Sequence, residues 1–217
     1  MLGFSLNNKN NQKSKVLCLG AHSDDIEIGC GGSVLKMIEN DEVEAIYWVV
    51  FASNEIRKKE ALDSAHAFLK DVEKKTIQVF SYRDAFLNFS AFEIKEQFEA
   101  IKKAFNPDLV FTHYRDDRHQ DHRLISDLTW NTFRNHLILE YEIPKYDGDL
   151  GIPNCFFQIP ENLTQRKVDY LLTYFNTQKN KHWFDQETFL SLMRIRGLES
   201  AAESKYAEAF HVRKMVL

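Results

Sequence analysis

The amino-acid sequence predicts an α/β fold, a Rossmann-like three-layer arrangement with a mostly parallel central sheet flanked by helices. Three observations predict it. Short apolar runs alternate along the chain with longer segments of helical spacing, the pattern of repeated βα units. The first run, residues 15–19, is apolar on consecutive positions from Val16 onward, as a strand buried on both faces must be. Directly after it comes Gly20-Ala21-His22-Ser23-Asp24-Asp25-Ile26-Glu27-Ile28-Gly29-Cys30-Gly31-Gly32. Polar chemistry beyond the carboxyl end of a strand is where open α/β sheets bind ligands.

The elements follow in order. Residues 33–40 have helical spacing and are predicted to open a helix behind the glycines, and residues 43–51 form a second strand. Asn54 is placed as the N-cap of a helix over 55–70, since its side chain can accept from the free N–H groups of the first turn. A third strand over 76–80, a helix over 94–105 and a fourth strand over 108–112 behind Pro107 come next. Leu124, Ile125, Leu128 and Phe133 mark the apolar face of another helix. Residues 137–142 and 155–159 read as two further strands. The stretch 144–153 between them carries turn signals throughout and reads as a long loop, a kind of segment that is often functional in a compact domain. Helices over 163–176 and from 185 to at least 194 complete the expectation. With no repeat, low-complexity tract or composition shift, residues 1–217 are expected to form a single domain, with 1–14 as a loose polar leader.

Composition narrows the function classes. The chain has 217 residues, 44% hydrophobic and 28% charged, which suits one sizeable globular domain. A net charge of −4 gives no electrostatic reason to expect a nucleic-acid partner. The three cysteines, Cys18, Cys30 and Cys155, have no paired spacing, which predicts a reducing compartment and a cytoplasmic location. No stretch approaches the roughly 20 apolar residues that span a bilayer, so no membrane anchor is expected. A homo-oligomer is left open.

A second polar cluster, Thr112-His113-Tyr114-Arg115-Asp116-Asp117-Arg118-His119-Gln120-Asp121-His122-Arg123, also follows a strand-like run, Leu109-Val110-Phe111. In a parallel sheet both clusters reach the same edge. Together they offer His, Asp and His as metal ligands, with carboxylates and an imidazole to spare. Three nitrogen and oxygen ligands with a water in the fourth position describe a catalytic zinc site, and such donors also admit iron(II), cobalt or manganese.

These segments resemble the LmbE-like, or PIG-L-type, zinc-dependent N-acetylglucosaminyl deacetylases. The resemblance lies in Ala21-His22-Ser23-Asp24-Asp25 and in His119-Gln120-Asp121-His122. It extends to Arg196-Gly197-Leu198-Glu199 and Tyr206-Ala207-Glu208-Ala209-Phe210, and so spans most of the chain. It implies His22, Asp25 and His122 as zinc ligands and Asp24 as the general base. Asp24 is taken to be free for that role because neighbouring side chains on extended backbone diverge. His119 lies three positions before His122, so a helical turn would set both imidazoles on one side, with His119 as oxyanion donor and Asp121 orienting an imidazole. Arg57 and Asp84 match positions that often contact substrate. Two departures stand out: Ser23 replaces a common proline, and Ile26 replaces a glutamate that Glu27 is a candidate to supply.

The implied reaction is removal of an N-acetyl group from an amino sugar, free or carried on a conjugate or nucleotide, by metal-activated water. One rival keeps the zinc and changes the substrate to a non-sugar N-acyl metabolite. A second is a nucleotide-binding module built on the glycines at 29, 31 and 32, but their spacing is not G-x-G-x-x-G and two aspartates just upstream would repel phosphate. His113 is read as structural, and Asp116 and Asp117 as loop or capping residues.

Overall fold

The computed structural model describes residues 13–216; the expected leader therefore lies almost wholly outside the described residues. Among these residues seven strands form one sheet: β1 (Ser14–Gly20), β2 (Val43–Ala52), β3 (Lys74–Tyr82), β4 (Leu109–His113), β5 (Leu137–Tyr141), β6 (Cys155–Gln158) and β7 (Ala207–His211). Their spatial order is β3-β2-β1-β4-β5-β7-β6. The first five are parallel, and β7 runs antiparallel between β5 and β6. Among the described residues six α-helices cover the sheet: α1 (Asp25–Glu39), α2 (Glu55–Phe68), α3 (Ala91–Ala104), α4 (Gln120–Thr132), α5 (Glu161–Tyr174) and α6 (Gln186–Glu199).

The three layers follow from the period-two alternation of the strands. Val16 and Cys18 of β1 face one side and pack with Val34 of α1, Phe68 of α2, Leu163 of α5 and Phe189 of α6. Leu17 and Leu19 face the other and pack with Ile94 and Phe98 of α3 and Ile125 of α4. Both faces of β1 are buried, as its continuous apolar run requires. Because β1 lies between β2 and β4, the loops after β1, β2 and β4 emerge side by side at one sheet edge.

Two elements differ from the sequence expectation. The first helix begins at Asp25, so the glycines lie inside it and not before it. The reason is close packing: a Cβ at Gly29 would stand 2.2 Å from the ring of Tyr141, and one at Gly32 would stand 2.9 Å from Glu208 Oε1. These glycines admit protein side chains against the helix and make no phosphate cradle. The second difference is β7, a strand the sequence reading does not place. Its Glu208 and His211 interrupt the apolar pattern, yet Glu208 is buried and fully engaged. It accepts from the N–H groups of Gly32 and Ser33 at 2.7 and 2.6 Å and pairs with Lys167 Nζ at 2.6 Å.

Gly29→Ala is expected to destabilise the fold by about 1–3 kcal/mol, the usual cost of overpacking a filled core, despite alanine's better helix propensity. Urea unfolding measures it, and unchanged stability would mean that Tyr141 moves aside freely.

Candidate active site

Between Gly20 and Asp25 the chain makes one tight turn. The N–H of His22 donates to Asp25 Oδ2 at 2.6 Å, and the N–H of Ala21 donates to His113 Nε2 at 2.9 Å. A second turn runs from the end of β4 to α4, where His119 is the N-cap and its Nδ1 accepts from the N–H of Asp121 at 3.2 Å. β1 and β4 are hydrogen-bonded neighbours, so the two turns face each other.

Their side chains converge. His22 Nδ1 stands 3.1 Å from His122 Nε2 and 3.4 Å from Asp25 Oδ2, and His122 Nε2 is 3.6 Å from Asp25 Oδ1. A tetrahedral ion with bonds of roughly 2.0–2.1 Å sets its ligand atoms roughly 3.3 Å apart, and these three separations, two of them to different oxygens of Asp25, lie near that spacing. The surrounding residues form overlapping groups that could also hold metal, namely His22–His119–His122, Asp25–His113–His122 and His22–Asp84–Asp121.

A ring of partners fixes the triangle. His122 Nδ1 bonds Asp117 Oδ2 at 2.9 Å. His22 Nε2 meets Asp121 Oδ2 at 3.2 Å and Asp84 Oδ1 at 3.1 Å. Asp121 also accepts from the N–H groups of Ala85 and Leu87, at 2.8 and 3.2 Å, and so pins the loop after β3 to the centre. His119 packs edge-on to His22, with ring centroids 4.8 Å apart. Since its Nδ1 accepts a backbone N–H, its neutral form carries the proton on Nε2, ready to donate.

Asp24 sits apart from the triangle. Its Oδ1 accepts from Arg57 Nη2 at 2.8 Å, while Arg57 Nη1 reaches Asp84 Oδ2 at 3.3 Å. The two aspartates diverge because Asp24 is the N-cap and Asp25 the first helical residue. The expectation of extended backbone there is corrected: Asp24 has φ −114° and ψ −4°. Asn54 caps α2 as expected, accepting from Arg57 N–H at 2.9 Å, and so places Arg57 at this edge.

Burial and the neighbouring charges set the protonation states. Burial pushes the Asp25 carboxyl up, but the imidazoles of His122, His113 and His22 outweigh it and hold the group well below the usual range. Burial and the adjacent His113 push His122 down to about 3, leaving a neutral imidazole. Burial raises Asp24, against the pull of Arg57. Burial would lower His22, but Asp25 and its bonds to Asp121, Asp25 and Asp84 raise it. A carboxylate and neutral imidazoles are the forms that ligate, so metal binding here displaces the proton that His22 otherwise holds.

Three residues escaped the sequence reading. His113, read as structural, is fully buried, stacked on His122 at 4.0 Å, with Nε2 3.2 Å from Asp25 Oδ2. Asp117, read as a loop or capping residue, does cap, accepting from His119 N–H at 2.8 Å, but its other oxygen holds His122. Lys145 bonds that same oxygen at 2.8 Å. Glu27, the candidate for the missing glutamate, is buried inside α1. Its Oε1 accepts from Ser64 at 2.6 Å, and burial pushes it up to about 8. Arg196 pairs with Glu142 and Glu199, fastening α6 to the strand end without touching the triangle.

The sequence profile described as "PIG-L: GlcNAc-PI de-N-acetylase" matches residues 17–133, just over half of the chain and both polar turns. The chain belongs to this family. The family match supports a hydrolytic N-deacetylase. Solved structures agree on the fold over nearly the full chain. N,N'-diacetylchitobiose deacetylase from Pyrococcus horikoshii superposes with a TM-score of 0.72 at 23% identity, over 96% of this chain and 87% of that one. The zinc-inhibited form of teicoplanin deacetylase Orf2 gives 0.70 at 13% identity, over 91% and 97%. GalB, the 4-carboxy-2-hydroxymuconate hydratase of Pseudomonas putida KT2440, gives 0.70 at 16% identity, over 94% and 97%.

Asp121→Ala is expected to release the loop after β3. Amide exchange at Ala85 and Leu87 should quicken by at least about tenfold, since each loses a hydrogen bond to a charged group of roughly 1.5–3 kcal/mol. Exchange rates equal to those of the parent protein would show that the loop is held by other contacts.

Proposed function

We propose that this chain is a zinc-dependent deacetylase that removes the N-acetyl group from an N-acetylated amino sugar, of the GlcNAc type or a conjugate or nucleotide of it. The observation that carries this is the donor triangle of His22, Asp25 and His122 with a separate, raised carboxylate, Asp24, at the same sheet edge. Family membership supports the reaction, and the diacetylchitobiose and teicoplanin deacetylases support a sugar substrate. The hydratase GalB shares the fold, so the fold alone does not choose the reaction. Among the described residues no helix is long and apolar enough to cross a membrane, which suits a substrate met in water.

His22, Asp25 and His122 would hold the zinc ion, which when bound would polarise the amide carbonyl and make a water more acidic. Asp24 accepts the water proton. Its Oδ1 is committed to Arg57, so Oδ2 is the oxygen that receives it. As the water oxygen bonds to the acetyl carbon, negative charge grows on the carbonyl oxygen, and His119 donates its Nε2–H there. The C–N bond then breaks, Asp24 returns its proton to the departing nitrogen, and acetate and a free amine result. Arg57 keeps Asp24 oriented and, with Asp84, borders the space where the sugar would lie. Asp121 holds the His22 ring by its far nitrogen.

His22→Ala and His122→Ala are each expected to lose bound metal and activity together, read by elemental analysis and acetate release. Full metal occupancy in both would sink the ligand assignment. Asp24→Asn should keep the metal yet lose turnover by about 10²-fold or more. Normal turnover would place the base elsewhere.

The substrate class is tested by acetate release from N-acetylhexosamines, their glycosides and nucleotide forms, beside N-acyl amino acids. Chelator-sensitive release from the sugars is expected. Release from the non-sugar amides alone would leave the metal hydrolase standing and remove the sugar.

A further inference from the structure

The candidate centre is walled by two cations, each holding two carboxylates. Arg57 holds Asp24 and Asp84. Lys145 holds Asp117 and Asp149, with Nζ at 2.8 and 2.7 Å from their oxygens and 3.3 Å from the carbonyl of Ile143. Those three acceptors use all three ammonium hydrogens. Lys145 belongs to the long segment between β5 and β6 that the sequence marks as a loop. Asp149, also in that loop, accepts the N–H of Arg118 at 2.6 Å with its second oxygen.

We propose that Lys145 is a positioning residue for His122, acting through Asp117 to set the metal affinity of the site and binding the 144–153 loop to it. The inference rests on His122 being a ligand. Asp117 is almost wholly buried, and every oxygen it has is used. Oδ1 takes the His119 N–H, and Oδ2 takes both His122 Nδ1 and Lys145 Nζ. The bond from His122 Nδ1 fixes its tautomer and turns its Nε2 lone pair toward His22 and Asp25. A buried carboxylate keeps its charge only while it has a partner of opposite sign, and Lys145 is the nearest full cation to Asp117. Remove the ammonium, and Asp117 Oδ2 loses the contact that holds it against His122 Nδ1, so its grip on His122 weakens, though no ligand has been touched.

The test uses the full chain as wild type, Lys145→Met, Lys145→Arg and His122→Ala, each stripped of metal and titrated with zinc against a chromophoric chelator. Lys145→Met is expected to bind zinc about 10- to 100-fold more weakly, the usual cost of losing an outer partner of a ligand. Lys145→Arg should recover most of the loss, because it restores the charge to Asp117; a purely space-filling role would not distinguish them. At saturating zinc the KM for substrate should stay as in wild type. Should Lys145→Met fail to fold, Lys145→Gln carries the same measurement.

A loss smaller than about fivefold in the folded variant, beside a His122→Ala protein that no longer binds zinc, overturns the role of Lys145 and leaves the metal site intact. Zinc affinity unchanged in His122→Ala overturns both.

Discussion

The structure depends on one buried charge. The carboxylate of Asp25 sits 3% exposed at the start of α1, where an unpaired ion would cost several kcal/mol. The N–H of His22, at 2.6 Å, and the proton that the His22 ring holds offset that cost, and the imidazoles of His113 and His122 pack beside them. Each of those imidazoles needs its own orientation. His113 comes from the end of β4 and His122 from the first turn of α4, so both must be set beside β1 before Asp25 is tolerable. The strand order, with β4 next to β1, meets that condition. A parallel sheet that placed these strands apart would leave the charge stranded.

Much of this was legible in the sequence because it follows from the local period of the chain. Continuous apolar runs identified β1 and β4 as interior strands, and the residues just after them were bound to share an edge. The polar clusters that carry His22, Asp25 and His122 were therefore visible at that edge, while the choice of these three as ligands, and of Arg57 and Asp84 as substrate contacts, came from the family resemblance. Lys145 and Asp117 were not. On sequence alone a lysine in a turn-rich loop looks solvated, and only the contact between residues 28 apart shows it buried against a carboxylate. His113 was missed for a related reason: one imidazole at a strand end has no partner at helical or strand spacing. The glycines of α1 were read as a turn because glycine is a poor helix former, and the pressure of Tyr141 that favours it is long-range.

The C-terminal third acts as a brace for the first. Arg196 joins Glu142 to Glu199, and Gly197 lies so close to the chain that a Cβ there would stand 2.0 Å from the carbonyl of Lys205. Lys167 donates to the carbonyl of Ile28 at 2.6 Å, while Glu208 takes the N–H groups one turn later in the same helix. An ion pair thus grips backbone groups of α1 at Ile28, Gly32 and Ser33, just beyond the turn that carries Asp25. The motif residues near the C-terminus therefore bear on the site through the helix they hold.

That brace has a consequence for the order in which the chain is built. Glu208 meets Gly32 across 176 residues of sequence, so α1 lacks this partner until that distant segment has been made. The five parallel strands can pair early, but until β7 arrives β5 presents an unpaired edge of buried-type residues, open to strands of other chains. Closing a contact of such separation is slow, since the entropy of the long loop is lost before the bond is made. Among the described strands β7 comes latest in the chain, yet it joins β5 to β6 and braces the first helix, so translation rate and chaperone access are expected to bear on the yield of this protein.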